Sequence, residues 1–234
     1  MASTTTAQNI MDDVETILSD TGNERWSETE LLAWVNAGMK EVSMVKSDAY
    51  IQSEAFILAE GTVQSLPTGG FQLLQITHNM GTDGETPGSV IRLTDRHILD
   101  VMNSSWHSQD GSATVVYYMY DERMPTQFLV SPPQPSSNFG YVWGTYCKTP
   151  TEIATDGKIL VGDIYRNVLL DYVLYRAYLK DADYTENANR AIAHYQAFSN
   201  SLGMRGNLEF KEDPNKLKRP YRKAVGEAGG ANPQ

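Results

Sequence analysis

Histidine, cysteine and carboxylate side chains are the groups that most often perform catalysis or bind metals, and this chain spaces them widely. The four histidines lie at scattered positions: His78, His97, His107 and His194. None has another histidine, or the single Cys147, at the spacing of a metal site. The segment "RHILD" puts His97 three residues before Asp100 on a helix, which we interpret as a surface or satisfied polar pair.

Two other patterns could perform chemistry, and each has a structural explanation. The segment "DADYTE", residues 181–186, is similar to a calcium loop but lacks the central glycine and the distant glutamate, so it favours helix capping. Four tyrosines at helical spacing could stack on bases, but in an acidic sequence they favour a core or subunit interface: Tyr165, Tyr172, Tyr175 and Tyr178. Phosphate-loop, dinucleotide and serine-hydrolase motifs are absent. We expect no enzyme, no cofactor and no metal.

Charge is divided unevenly along the 234 residues, whose net charge is −10. Up to Phe210 there are 13 Lys and Arg against 26 Asp and Glu, and from Lys211 onward there are 6 against 3. The acidic part repels nucleic-acid phosphates, whereas the basic end suits an acidic partner. A lone cysteine excludes an intrachain disulfide and suits a reducing cytosol. Without a signal or membrane-spanning pattern, we expect a soluble protein made in the cytoplasm.

The first 50 residues have the period of amphipathic helices. Residues 7–19 form one, with an apolar face of Ile10, Val14, Ile17 and Leu18. A second helix runs from Ser27 to about Lys46. Ser27 and Glu30 make a capping box there, and Trp26 and Leu31 occupy the positions of a hydrophobic staple. Its apolar stripe consists of Leu31, Val35, Met39 and Val42.

The middle of the chain has the alternation and turn signals of strands. "FILAEGTVQSLP" predicts a hairpin with its turn at Glu60-Gly61. Further strands are expected at 71–79, 89–95, 114–122, 126–133 and 139–147, with a short helix capped by Thr94 or Asp95. Pro132-Pro133 should end the strand at 126–133, because proline cannot donate a hydrogen bond to the neighbouring strand.

Helical periodicity returns after Gly162. Asp163 is expected to cap a helix ending near Lys180, whose apolar surface is too broad for a single stripe and predicts burial on several sides. Asp183 and Glu186 open a last helix, which Gly203 ends. The predicted fold class is α+β. A helical bundle is built from both chain ends, 1–50 and 160–205. A β-rich insert with one short helix covers 51–159, and an extended basic C-terminal segment covers 206–234.

Five segments, in order, resemble phage head-to-tail adaptors of the tail tubular protein A and portal-adaptor type. "RWSETELLAWVNAGMKEV" is similar to their second helix at Arg25, Trp26, Glu30, Leu31, Leu32, Trp34, Asn36 and Ala37. "EGTVQSLPTG" and "RHILDVMNSSW" match at Gly61, Gln64, Leu66, Pro67, Arg96, Asp100 and Trp106. "FLVSPP" resembles a strand end at Phe128 to Pro133. "LLDYVLYRAYLKDAD" resembles a late helix at Asp171, Tyr172, Leu174, Tyr175, Arg176, Ala177, Tyr178, Lys180 and Asp181. The resemblance covers roughly residues 10–203 and does not include the C-terminal segment.

The resemblance implies a structural protein of the virion neck that has neither catalysis nor cofactor. Such adaptors form a ring, usually of twelve copies, between the portal and the tail nozzle or other tail proteins. Genomic DNA passes through the channel without specific binding, and no membrane is involved. The basic segment offers apolar anchors among cations, so we expect the portal to bind Phe210, Lys211, Lys216, Leu217, Lys218, Arg219, Tyr221, Arg222 and Lys223.

Three alternatives remain. The first is another neck or tail-completion protein; a tail tube subunit is disfavoured by the helical ends. The second is a metal-dependent hydrolase, which would need at least two acids and a histidine converging on one site. The third is a nucleic-acid-binding module that uses the cations between Lys216 and Lys223, against which the acidity of the remaining chain argues.

Overall fold

The computed structural model describes residues 3–181 and 183–212, with only the backbone described for 204–212. Its helices are α1 Ala7–Leu18, α2 Glu28–Val45, α3 Arg96–Met102, α4 Arg166–Lys180 and α5 Thr185–Glu212. Its strands are β1 Ile51–Ile57, β2 Gly61–Ser65, β3 Gly70–Asn79, β4 Arg92–Leu93, β5 Tyr117–Tyr120, β6 Gln127–Gln134 and β7 Tyr141–Lys148. The expected α+β class is confirmed.

Helices α1, α2, α4 and α5 share one hydrophobic cluster. Ser27 and Glu30 form the expected capping box at the start of α2, and Asp95 caps α3 by accepting from the backbone N of His97. The predicted stripe of α2 is completely buried. The cluster contains residues of α1, α2, α4 and α5, among them Ile10, Val14, Leu31, Val35, Met39, Leu169, Val173, Phe198 and Leu202. α4 is buried on several sides, as its composition predicts.

Two sheets form the β-rich part and enclose a second cluster. One has the order β1-β7-β3, and the other has the order β2-β6-β5-β4, in which only β4 and β5 run parallel. The first sheet supplies Phe56, Leu73, Ile76, Val142 and Tyr146 to the cluster, and the second supplies Tyr118, Phe128 and Val130. The rings of Phe56 and Phe128 meet edge to face, with centroids 6.2 Å apart. The core of this part therefore lies between the two sheets.

The expected hairpin at Glu60-Gly61 is wrong, because β1 and β2 belong to different sheets. The side chain of Gln64 holds the corner between them. Its Nε2 donates to the carbonyls of Ala59 (2.7 Å) and Gly61 (3.0 Å), and its Oε1 accepts from the backbone N of Ala59 (2.6 Å). Gly61 has a φ of +86°, which favours glycine. The buried amide thus satisfies backbone groups that a hairpin ladder would otherwise satisfy.

Two strand limits also differ from the expectation. Pro132-Pro133 does not stop β6, which continues to Gln134 and pairs there with Gly61. Proline lacks only the donor, and the carbonyl of Pro133 still accepts from the backbone N of Ser112 at 2.9 Å. The strand expected at 89–95 is reduced to β4 and a single bridge between Val90 and His78.

The late helices begin and end differently from the prediction. Asp163 does not cap α4; its carboxylate accepts from the backbone N of Thr4 and Thr5 and from the hydroxyl of Ser3. The N-terminal segment, which lies far away in sequence, therefore competes successfully for this acid. α5 begins at Thr185 rather than at Asp183.

Gly203 does not end α5, which continues to Glu212. Residues 206–212, assigned from the sequence to the C-terminal segment, are therefore helical. Gly203 is exposed, and the position of an added Cβ has no atom within 4 Å. A glycine without a left-handed conformation is tolerated in a helix at a cost of about 1 kcal/mol relative to alanine.

Candidate partner-binding surfaces

The residues that resemble the adaptor motif at the start of α2 bind the end of α4. Arg25 Nε lies 2.5 Å from Asp181 Oδ2, and Lys180 Nζ lies 2.8 Å from Glu30 Oε1. The bond from Lys180 lowers the pKa of Glu30 below its usual range. Both ion pairs are partly exposed and each contributes little to stability by itself. The four charged residues align two helices that are distant in sequence.

Trp26 supplies the buried part of this contact. Its side chain is only 7% exposed, and its Nε1 donates to the carbonyl of Ala177 at 3.2 Å. The indole belongs to the same hydrophobic cluster as Leu31, as expected for a staple. Asn36, another motif residue, exchanges two hydrogen bonds with the backbone of Ile153 at 2.9 and 3.1 Å. These motif residues therefore have structural roles.

A second motif fixes α3 to the four-stranded sheet. Trp106 Nε1 donates to Asp100 Oδ1 at 2.8 Å, and Arg96 Nε lies 3.5 Å from Asp100 Oδ2. Trp106 is buried with Leu99 and Met119 in a small third cluster. Asp100 of "RHILD" therefore binds Trp106 and Arg96 rather than His97. Its carboxylate is satisfied, but not by the pair with His97 that the sequence predicts.

The side chains that could perform catalysis or bind a metal lie far from one another. His107 Nδ1 lies 3.0 Å from Thr62 Oγ1, and His194 Nδ1 lies 3.0 Å from Asp171 Oδ1. Cys147 is buried, which raises the pKa of its thiol to about 11. Among the side chains that the structure describes, in residues 3–181 and 183–203, no three of His, Cys, Asp or Glu come together as a metal site. The convergence that a metal-dependent hydrolase needs is therefore not found in this part of the chain.

A groove of about 1140 Å³ lies between the start of α3 and the turn that joins β5 to β6. Apolar side chains of the sheet line it, including Val63, Met119 and Leu129. Charges of both signs lie along its sides: Asp95, Arg96, Asp121, Glu122 and Arg123. A mixed apolar and charged groove of this kind can receive a protein segment.

Several helices have exposed apolar side chains, among them α3 and α5. Ile98, Val101 and Met102 of α3 are 54%, 74% and 71% exposed. A helix of seven residues buries only Leu99, so its other apolar positions face solvent. On α5, Ile192 and Tyr195 are exposed although they are in register with buried Phe198. Exposed apolar side chains of this kind are typical of surfaces that bind partner proteins.

The C-terminal residues expected to bind the portal are mostly beyond the described part. The backbones of Phe210 and Lys211 lie in the last turn of α5. The remaining seven lie outside the described residues: Lys216, Leu217, Lys218, Arg219, Tyr221, Arg222 and Lys223. Their role in binding the portal stays a prediction.

Comparison with protein families gives a match over nearly the whole chain. The family model described as SU10 adaptor protein matches residues 5–222, nearly the whole chain. The match continues past Gly203, where the resemblance recognised in the sequence ends. No curated protein matches the chain. None of the helices in the described part is long and apolar enough to cross a membrane.

Proposed function

The chain belongs to the SU10 adaptor protein family, a family of phage head-to-tail adaptors, and we propose that it forms a ring that joins the portal to the tail. The observation that carries this proposal is the family match over residues 5–222. In this role the protein is a component of the virion neck and performs no catalysis. Its direct partners are its own copies, the portal and a tail protein such as the nozzle.

The two hydrophobic clusters support different roles for the helical and the β-rich parts of the subunit. We propose that α1, α2, α4 and α5 form a bundle from both chain ends and build the ring wall. The β-rich unit, residues 51–159, has its own cluster between two sheets and is proposed to project toward the tail. Exposed Ile192 and Tyr195 on α5 suit the contact between neighbouring subunits, since buried apolar area stabilises such contacts.

The charge of the chain supports a channel that does not retain DNA. The 26 acidic residues up to Phe210 outnumber 13 basic ones, so a wall built from this part repels phosphate. The genome is proposed to pass through a ring of twelve copies without specific binding. The basic C-terminal segment is proposed to bind an acidic surface of the portal.

Electron microscopy tests this function directly. The purified protein should be imaged alone and after mixing with its portal, and the neck of the intact virion should be reconstructed. We expect a ring of density directly below the portal. Free monomers agree with the proposal if the ring assembles only on the portal. A virion neck that lacks this chain would refute it. Density for the chain lower in the neck would instead identify another neck or tail-completion protein.

A further inference from the structure

Among the described residues, the two sheets have four edge strands: β1, β2, β3 and β4. β1 differs from the other three. β4 has only two residues, β2 has a register shift between Gly61 and Val63, and β3 has three such shifts. β1 pairs with β7 in seven consecutive pairs without a shift. It also contains neither lysine nor proline, which natural proteins place on edges to prevent pairing. β1 is thus a long, regular edge.

The hydrogen-bond phase of β1 shows which of its backbone groups face outward. The backbone N of Lys148 donates to the carbonyl of Tyr50, and the backbone N of Leu58 donates to the carbonyl of Gly140, both at 3.0 Å. Bonded pairs alternate in an antiparallel ladder, so the even-numbered residues of β1 face β7. The odd-numbered residues direct their N–H and C=O groups away from it: Ile51, Ser53, Ala55 and Ile57.

None of these outward groups has a hydrogen-bond partner within the described part of the chain. The side chains of Ile51 and Ile57 are 44% and 52% exposed. The four residues are uncharged, and they present donors and acceptors at the repeat of an extended strand. This row is complementary to another extended backbone.

We propose that an extended strand of a different virion protein pairs with the free edge of β1 and continues the sheet. The inference rests on the proposed function, because it places the partner in the same virion. A second copy of β1 fits poorly: in a fully overlapping antiparallel pair, Glu54 would lie opposite Glu54 of the other copy. Like charges directly opposite each other destabilise a sheet. The partner strand therefore carries a neutral or basic residue opposite Glu54.

Hydrogen exchange of the unmodified chain, read from a peptide covering residues 51–57, tests the pairing. In the free protein, we expect the amides of the four odd-numbered residues to exchange quickly and those of the three even-numbered residues to exchange slowly. In intact virions all seven should exchange slowly. Residues 141–148 of β7, which is paired on both sides, serve as the internal control and should be protected in both samples.

The outcomes separate the two proposals. A chain that is present in the neck but keeps fast exchange at the odd-numbered residues would overturn the strand addition and leave the adaptor function intact. Absence of the chain from the neck would overturn both. Slow exchange at all seven positions in the virion supports the pairing.

Ala55→Pro supplies a second test, with Ala55→Ser as its matched control. The N–H of Ala55 points away from β7, so proline removes no bond of the existing sheet but blocks an added strand. Virions carrying Ala55→Pro should lose about tenfold or more in infectious titre relative to Ala55→Ser. Melting curves of the free variants check that both fold. Equal titres from two folded variants would overturn the proposal, and if Ala55→Pro fails to fold, the exchange measurement decides.

Discussion

Trp26 takes part both in the local start of α2 and in the packing of α2 against α4. Its position before Ser27 makes it a staple, and the fold adds a hydrogen bond to Ala177 near the end of α4. Trp26→Ala should lower the free energy of unfolding by about 3–5 kcal/mol, because it leaves a large cavity. Trp26→Phe, which keeps a ring but loses the N–H, should cost clearly less. Denaturant unfolding measures both, and a loss below about 1 kcal/mol for Trp26→Ala would contradict this role.

Asp163 gives a prediction about pH. Hydrogen bonds from the hydroxyl of Ser3 and the backbone N of Thr4 and Thr5 hold the pKa of its carboxyl well below the ordinary 3.8. The folded state thus favours the ionised carboxylate, whose contribution to stability is present above the ordinary pKa and is lost as pH falls below it. Asp163→Asn should therefore lower the melting temperature at pH 7, and the difference from the unmodified chain should shrink in acid. Melting curves of both chains, recorded from pH 7 into acid, test this prediction. A difference in melting temperature that stays constant with pH would contradict it.

For single residues, the sequence predicts the contacts that form between neighbours along the chain. The box of Ser27 and Glu30 needs only four consecutive residues, so its prediction is confirmed. Asp163 has an equally good local pattern, but its carboxylate binds residues about 160 positions away, and no local rule could find them. Gln64 likewise satisfies a corner that becomes visible only when two sheets are in place.

Among the helices and strands, α5 shows a clear difference from the sequence-based expectation, because it continues past Gly203. If Gly203 ended the helix in a left-handed conformation, alanine there would destabilise the protein. In the structure it lies inside α5 with open space around its Cβ position, so Gly203→Ala should stabilise by about 0.5–1 kcal/mol. Gly61→Ala is the matched control; its φ of +86° predicts destabilisation by about 1 kcal/mol. Thermal unfolding of the two variants should shift in opposite directions, and a fall for Gly203→Ala would contradict the continuous helix.

The types of most elements could be predicted, but their pairing could not. Alternation in "FILAEGTVQSLP" finds most of β2 but only the last two residues of β1, which begins at Ile51, and it reports only which face of a strand is buried. Nothing in that pattern tells a hairpin from a corner that connects two sheets. The free edge of β1 and the exposed face of α3 were missed for the same reason, because both depend on what the neighbouring elements leave uncovered.

For the whole molecule, the α+β class follows from the change of period along the chain, and membership of the adaptor family agrees with the ordered motifs. The motif residues hold distant helices together rather than forming a reactive site. Arg25, Trp26 and Glu30 bind the end of α4, and Asp100 binds Trp106. Sequence patterns of this kind identify a scaffold, whereas the surfaces that bind partners depend on how the scaffold is assembled.

The basic C-terminal segment differs in charge from the rest of the molecule. The chain from Lys211 onward has 6 basic and 3 acidic residues, opposite in balance to the rest. The cut should follow Glu212, where α5 ends, so that the helix is kept. The hydrophobic clusters of the described residues include nothing after Leu202, so deleting 213–234 should leave the melting temperature nearly unchanged.

The same deletion should weaken attachment to the portal, and raised salt should weaken attachment of the intact chain, because screening reduces attraction between opposite charges. The matched control keeps the length of the segment and replaces its cations with serine at Lys216, Lys218, Arg219, Arg222 and Lys223. If charge makes the joint, the control should bind as weakly as the deletion and should lose its dependence on salt. If the apolar anchors Leu217 and Tyr221 contribute, the control should bind better than the deletion. Co-sedimentation with purified portal measures all three chains, and equal binding by all of them would mean that the helical part alone makes the joint.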